Sequence, residues 1–245
     1  MKIGSRMMVV SLLVFATPAL AGPADKVFTP DIGYGESELG LKSGAASPLA
    51  GKRAEVVSVS YGHGMRENWF TEVSLKQSRG VQNATMVEWE NKFLLASRGE
   101  HLLDIGFLTE IEIPLAGKAV SEMRFGPLFQ TRSGNWQLNG NVLFEHPFGG
   151  LDEDNVAVGT NLSYQWQLKY HWREVLEFGM QGFGELGKWN NWARSAQQNH
   201  RVGPALFGEL ALDEDHAVKY SAAWLFGASA AAPNHTFRLN LEYEF

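Results

Sequence analysis

The chain has 245 residues, of which 44% are hydrophobic and 12% aromatic, with 26 Gly, 8 Trp and no Cys. Without Cys there are no disulfides, thiolate metal sites, catalytic thiols or lipoprotein attachment. A formal net charge of -6, with no long run of Lys or Arg, lacks the basic footprint of a nucleic-acid binder, so no nucleic acid is expected as a partner.

The first predicted element is a leader. Lys2 and Arg6 form a basic region, Met7 to Ala16 an apolar one, and Ala19-Leu20-Ala21 a small-residue cleavage site. Residues 1–21 are therefore expected to be a secretory signal peptide removed before Gly22. No later segment approaches the roughly eighteen consecutive apolar residues of a membrane helix. Residues 22–35 precede any regular pattern and are expected to form an N-terminal periplasmic segment.

From Glu36 onward polar and apolar residues alternate with period two, in stretches separated by clusters of Gly, Pro, Asn and Asp. Twelve strands are predicted. The first six span Glu36 to Ser43, Ala54 to Gly62, Trp69 to Ser78, Thr85 to Ala96, His101 to Pro114 and Val120 to Arg132. The others span Trp136 to His146, Val156 to Tyr170, Val175 to Leu186, His200 to Leu212, His216 to Gly227 and Thr236 to Phe245. Alternation is clearest in the fourth, fifth, seventh and last; in the fifth Leu103, Ile105, Phe107, Thr109, Ile111 and Ile113 oppose Asp104, Gly106, Leu108, Glu110 and Glu112.

Alternation alone also suits a soluble sandwich or a lipocalin-like barrel. Three further features favour an outer membrane. Connections alternate in length, with short turns such as Arg66-Glu67-Asn68, Arg98-Gly99-Glu100 and Ser133-Gly134-Asn135 facing longer ones such as Phe148 to Asn155 and Gly187 to Asn199. Strands of about ten residues tilted at about 40° match the roughly 25 Å apolar band of such barrels. Aromatics gather at strand ends, with Tyr61, Trp69, Trp136, Trp172, Tyr243 and Phe245 at one rim and Phe144, Trp224 and Phe226 towards the other. The expected fold is all-β: a transmembrane antiparallel up-and-down β-barrel of about 12 strands over residues 36–245, in the outer membrane of a Gram-negative cell and in contact with its lipid.

The ending Phe237-Arg238-Leu239-Asn240-Leu241-Glu242-Tyr243-Glu244-Phe245 resembles the C-terminal signal of bacterial outer-membrane barrels. That resemblance implies recognition by the barrel-assembly machinery through the strand ending at Phe245. More of the chain is similar to a proteobacterial family of uncharacterised outer-membrane barrels, related to channels assigned to phenol degradation or transport. The likeness rests on Val59-Ser60-Tyr61-Gly62, Trp69-Phe70-Thr71-Glu72, Glu88-Trp89-Glu90-Asn91, Phe125-Gly126-Pro127, Phe183-Gly184-Glu185-Leu186-Gly187 and Gly203-Pro204-Ala205-Leu206-Phe207. It implies a porin or transporter barrel and supplies no catalytic residues.

Arg124-Phe125-Gly126-Pro127 and Arg201-Val202-Gly203-Pro204 repeat one pattern in two strands of the same direction. Because Pro cannot donate to a ladder, a bulge is expected at each.

No Ser sits in a Gly-x-Ser-x-Gly elbow, and no His-x-Ser-Asn-Gly arrangement of phospholipase barrels occurs, so no enzyme, catalytic residue or cofactor is expected. His63, His101, His171 and His216 fall at turns around one rim. His146, His200 and His235 lie near outer loops and leave a weak metal site open, although His-x3-His spacing is missing. Trp189 and Trp192 are read as a loop packed on its own aromatics or at lipid headgroups, with stacking on a solute as the alternative.

Parity turns Glu88, Glu90, Lys92, Asp104, Glu110, Glu112, Arg124, Glu145, Glu177, Arg201, Lys219, Arg238 and Glu242 into the lumen, where they are the candidate selectivity residues. Charge at this density requires water or ion pairs. The function expected is passive passage of a small, unnamed solute; the alternatives are a closed structural or sensory barrel with an ion-paired lumen and, below it, a lipid-modifying enzyme. Inward carboxylates outnumber inward Lys and Arg, so a conducting pore is expected to favour cations. The opposite holds if Arg124, Arg201, Lys219 and Arg238 gather into one basic stripe.

Overall fold

The structure is a computed structural model describing residues 22–47, 52–80, 83–96, 103–117, 119–148 and 159–245. The expected signal peptide, the turn Arg98-Gly99-Glu100, His101 and most of the loop Phe148 to Asn155 lie outside the described residues.

Twelve long strands make the fold: β1 Ser37–Ser47, β2 Ala54–Arg66, β3 Trp69–Arg79, β4 Ala84–Leu94, β5 Asp104–Gly117, β6 Ser121–Ser133, β7 Trp136–Phe148, β8 Asn161–Arg173, β9 Leu176–Lys188, β10 Asn199–Ala211, β11 Ala217–Gly227 and β12 His235–Glu244. Each pairs antiparallel with its sequence neighbours. β12 pairs with β1 from Glu244 opposite Glu38 to His235 opposite Ser47, which closes the sheet. Phe245 completes the seam, its N–H donating to the Ser37 carbonyl at 3.0 Å while the Ser37 N–H donates to the Phe245 carbonyl at 2.9 Å. A closed ring leaves no free edge, the condition under which strands can cross a bilayer. A two-residue bridge, Asn191–Trp192, folds back on β9.

The strands form where the alternation predicts because each places one residue set on each side of a single wall. Leu39, Leu41, Val57, Val59, Val73, Leu75, Leu138 and Leu206 all point outward and stay exposed. So broad an apolar surface on a closed barrel faces hydrocarbon, and the protein resides in the outer membrane. Aromatics border this band. At the end carrying the termini, Trp136 meets Tyr170 at 4.8 Å between ring centroids and Tyr243 meets Phe245 at 5.5 Å. At the other end Phe125 stacks on Phe144 at 5.6 Å and Trp224 on Phe226 at 5.3 Å. The turns beside the termini, such as Gly134-Asn135 and Glu174-Val175, are short, which marks that end as periplasmic.

The two Gly-Pro sites are not bulged. Phe125 lies opposite Phe144 and Leu128 opposite Asn141, and likewise Val202 opposite Phe226 and Ala205 opposite Ala223, so the register is the same on both sides of each Gly-Pro pair. Glycine, not an extra residue, accommodates the proline. A side chain at Gly126 would lie 2.0 Å from the Val142 carbonyl oxygen, and one at Gly203 would lie 2.0 Å from that of Trp224. The strand draws close to its neighbour where the ladder is interrupted. Shifts of register occur elsewhere, between Gly64 and Arg66, Thr85 and Met86, Leu162 and Ser163, and Tyr170 and Arg173.

Candidate functional site: the lumen and its internal segment

All thirteen candidate residues face the interior: Glu88, Glu90 and Lys92 from β4, Asp104, Glu110 and Glu112 from β5, Arg124 from β6, Glu145 from β7, Glu177 from β9, Arg201 from β10, Lys219 from β11, and Arg238 and Glu242 from β12. The register sorts them into separate groups. Arg124 is the hub of one, with Glu110 at 3.3 Å, Glu145 at 3.4 Å, Asp25 at 3.7 Å and Glu122 at 4.0 Å. Lys76 joins Glu88, at 3.2 Å, to Glu112. Lys42 binds Glu72 at 2.7 Å, and Ser60 donates to the same carboxylate at 3.1 Å. Near the periplasmic end Lys169 pairs with Glu177 at 3.1 Å and Lys219 with Glu244. Lys92 instead lies over the Phe70 ring, 4.4 Å from its centroid. The four cations do not form one stripe: carboxylates claim Arg124, Lys219 and Arg201, the last through Glu185 at 3.7 Å, while Arg201 and Arg238 also flank the Phe183 ring.

A second lining is amide. Gln137 donates to Gln130 at 3.0 Å, Asn139 to Gln130 at 2.7 Å, Gln167 to Asn139 at 3.0 Å and Gln181 to Gln167 at 3.0 Å, a chain of amides running from β6 to β9. These residues share the inward parity of their strands, so the pattern was present in the sequence; the charged residues drew attention from it.

The N-terminal segment departs from expectation. Residues 22–31 do not hang in the periplasm but thread up inside the barrel. Phe28 packs with Leu108, Leu128 and Leu143, and Val27 packs with Phe183, Ala205, Phe207, Ala223 and Leu225. These side chains leave the lumen two apolar floors at mid-height that only another apolar group can cover. Polar contacts orient the segment. Asn141 donates to the Phe28 carbonyl at 3.0 Å and the Phe28 N–H donates to Gln165 at 3.4 Å. Lys26 lies 3.5 Å from Glu242 and 3.9 Å from Glu72, and Asp31 lies 3.5 Å from Arg132. Further up, the Pro23 carbonyl runs so close to β1 that a side chain at Gly44 would meet it at 2.2 Å. The segment adds no strand to the sheet. Its residues carry no periodicity, which is why sequence reasoning missed Asp25, Lys26, Phe28 and Asp31.

Below the apolar floors a vestibule of about 460 Å³ opens towards the periplasmic end. Glu36, Glu174 and Glu209 stand at its mouth, and Lys26, Gln181 and Arg238 line its depth.

The outer histidines do not converge. His146 is engaged with Thr160 at 3.0 Å, His200 with Tyr164 at 2.9 Å, and His235 packs on Phe226 at 5.5 Å between ring centroids. Among the described residues the group with metal-ligand spacing is Glu72, Glu88 and Glu90, whose neighbours Lys42 and Lys76 already supply positive charge. Trp189 packs edge-on against Phe144 at 6.5 Å, extending the outer aromatic girdle.

Together these features define a closed outer-membrane barrel with a polar, ion-paired lumen occupied by its own N-terminal segment. Solved outer-membrane barrels share the fold. The COG4313 outer membrane channel from Pseudomonas putida F1 is similar with a TM-score of 0.56 at 10% identity, over 90% of this chain and 98% of that one. The NanC porin gives 0.55 at 12% identity over 84% and 98%, and the KdgM porin 0.53 at 8% over 85% and 98%. No protein-family model matches the chain, and no curated protein sequence matches it.

Proposed function

We propose that the protein is an outer-membrane channel for small solutes whose path is governed by residues 22–31. The observation that carries this reading is the segment itself. It fills the lumen at mid-height yet contributes no strand, so the ring of twelve strands stays closed whether or not the segment is docked. The vestibule beneath it is lined by charged and amide groups suited to a hydrated solute. The likeness to solved channels and porins supports the same reading at the level of fold.

Planar-bilayer recording tests it. Wild type is expected to conduct in brief or small events, and a chain lacking residues 22–31 to conduct more and for longer. Absence of conductance from both would leave the closed, ion-paired barrel, in which the charges only fill space.

A further inference from the structure

Like Lys92, which lies over the Phe70 ring, Arg238 belongs to none of the ion-paired networks described above. Arg238 is 2% exposed and takes part in no hydrogen bond or ion pair among the described residues; its Nη1 is enclosed without a partner. The acids near enough to act on it are committed elsewhere, Asp25 to Arg124 at 3.7 Å and Glu242 to Lys26 at 3.5 Å. An enclosed guanidinium without a counter-charge is costly, and chains retain one where an anion arrives to meet it.

The surroundings are arranged for such an anion. Arg238 lies 5.5 Å from the Phe183 ring centroid and Arg201 lies 5.6 Å from the same ring, so two guanidinium groups share one aromatic support. On the flanking strands Arg238 is opposite Gly44 and Ala223, and the Pro23 and Ala24 backbone of the internal segment fills the space over Gly44. Two residues away on the same strand, Thr236 holds a buried hydroxyl without a hydrogen-bond partner, a donor free to meet an anion. Arg238, Gln181 and Asn240 border the vestibule, which gives access from the periplasmic end. The apolar side chains on the vestibule's lining are Val27, Phe28 and Phe207.

We propose that Arg238, with Arg201 beside it on Phe183, is a binding site for a small organic monocarboxylate. The guanidinium fork matches the two carboxylate oxygens, a planar fit that an ammonium group does not offer. Val27, Phe28 and Phe207, which line the vestibule, then take the body of the acid. A cavity of about 460 Å³ is within the size range of small-molecule sites. This inference names the solute class of the channel reading, and it rests on that reading only for the step from binding to passage.

Isothermal titration of the full chain in detergent with butyrate and with benzoate, at fixed chloride, tests it. Saturable binding of at least one acid is expected, with affinity at least tenfold weaker in Arg238→Gln and an unchanged heat-modifiable gel shift. Wild-type affinity in that variant, or no saturable binding by wild type, overturns the site. Equal affinity for sulfate overturns its assignment to a monocarboxylate. Should Arg238→Gln fail to assemble, Arg238→Lys keeps the charge and loses the fork; unaltered carboxylate affinity there overturns the assignment equally. The reading is separable from conduction: a barrel that binds the acid but never conducts refutes the channel, and one that conducts but binds no acid refutes the site.

Discussion

Truncation of Phe28 separates a docked segment from an integral core. Phe28 is 4% exposed and rests on Leu108, Leu128 and Leu143, each fully buried. Phe28→Ala leaves both backbone hydrogen bonds of residue 28 in place and removes only the ring. Losing a buried Phe side chain costs about 3 kcal/mol or somewhat more once the cavity is included. If the segment docks and releases as a unit, that cost falls on the docking equilibrium. At about 1.4 kcal/mol per tenfold, the docked-to-released ratio drops on the order of a hundredfold. The ladders between strands do not involve Phe28, so the barrel's resistance to urea and heat should barely move. Single-channel recording is the assay, with open probability expected to rise steeply. A large drop in the urea midpoint with unchanged channel behaviour would refute the reasoning, because Phe28 would then belong to the barrel's own core.

Three further outcomes follow from facing, closure and pairing. Phe107→Arg sets a charge on the lipid face of β5 and should cost roughly 2 to 4 kcal/mol in reversible folding into bilayers. Leu108→Arg, although on the lumen face, should be no better tolerated, because Leu108 is sealed beneath Phe28. Deleting Phe245 removes the two seam hydrogen bonds to Ser37 and should lower the amount of heat-modifiable barrel in the outer membrane, as read by gel mobility of membrane fractions. Glu72→Gln strips Lys42 of its 2.7 Å partner and should destabilise by about 3 kcal/mol, whereas Glu90→Gln, at a carboxylate with both oxygens unpartnered, should be neutral or stabilising in urea titration.

The amino-acid sequence by itself determined the wall. Period-two alternation assigns each side chain to lipid or lumen, and a one-residue slip would reverse the whole strand, so Phe107 and Leu108 or Trp89 and Glu90 can be faced correctly without coordinates. Strand number and closure follow, since a sheet crossing lipid must satisfy every backbone group. Parity does not say which charges meet. Arg124 with Glu110 and Glu145, and Lys42 with Glu72, depend on the register between neighbouring strands, which sets how far along the barrel each side chain stands. Nor does alternation separate a lumen lined for water from one lined for a buried segment: Leu108, Leu128 and Leu143 read as scattered inward apolar residues until Phe28 is seen to cover them. Residues 22–31 lack regular hydrogen bonding of their own, so their course is decided by the cavity that receives them. Only the closed tertiary structure creates that cavity, and only there is Arg238 seen to be an enclosed guanidinium with no hydrogen-bond or ion-pair partner among the described residues.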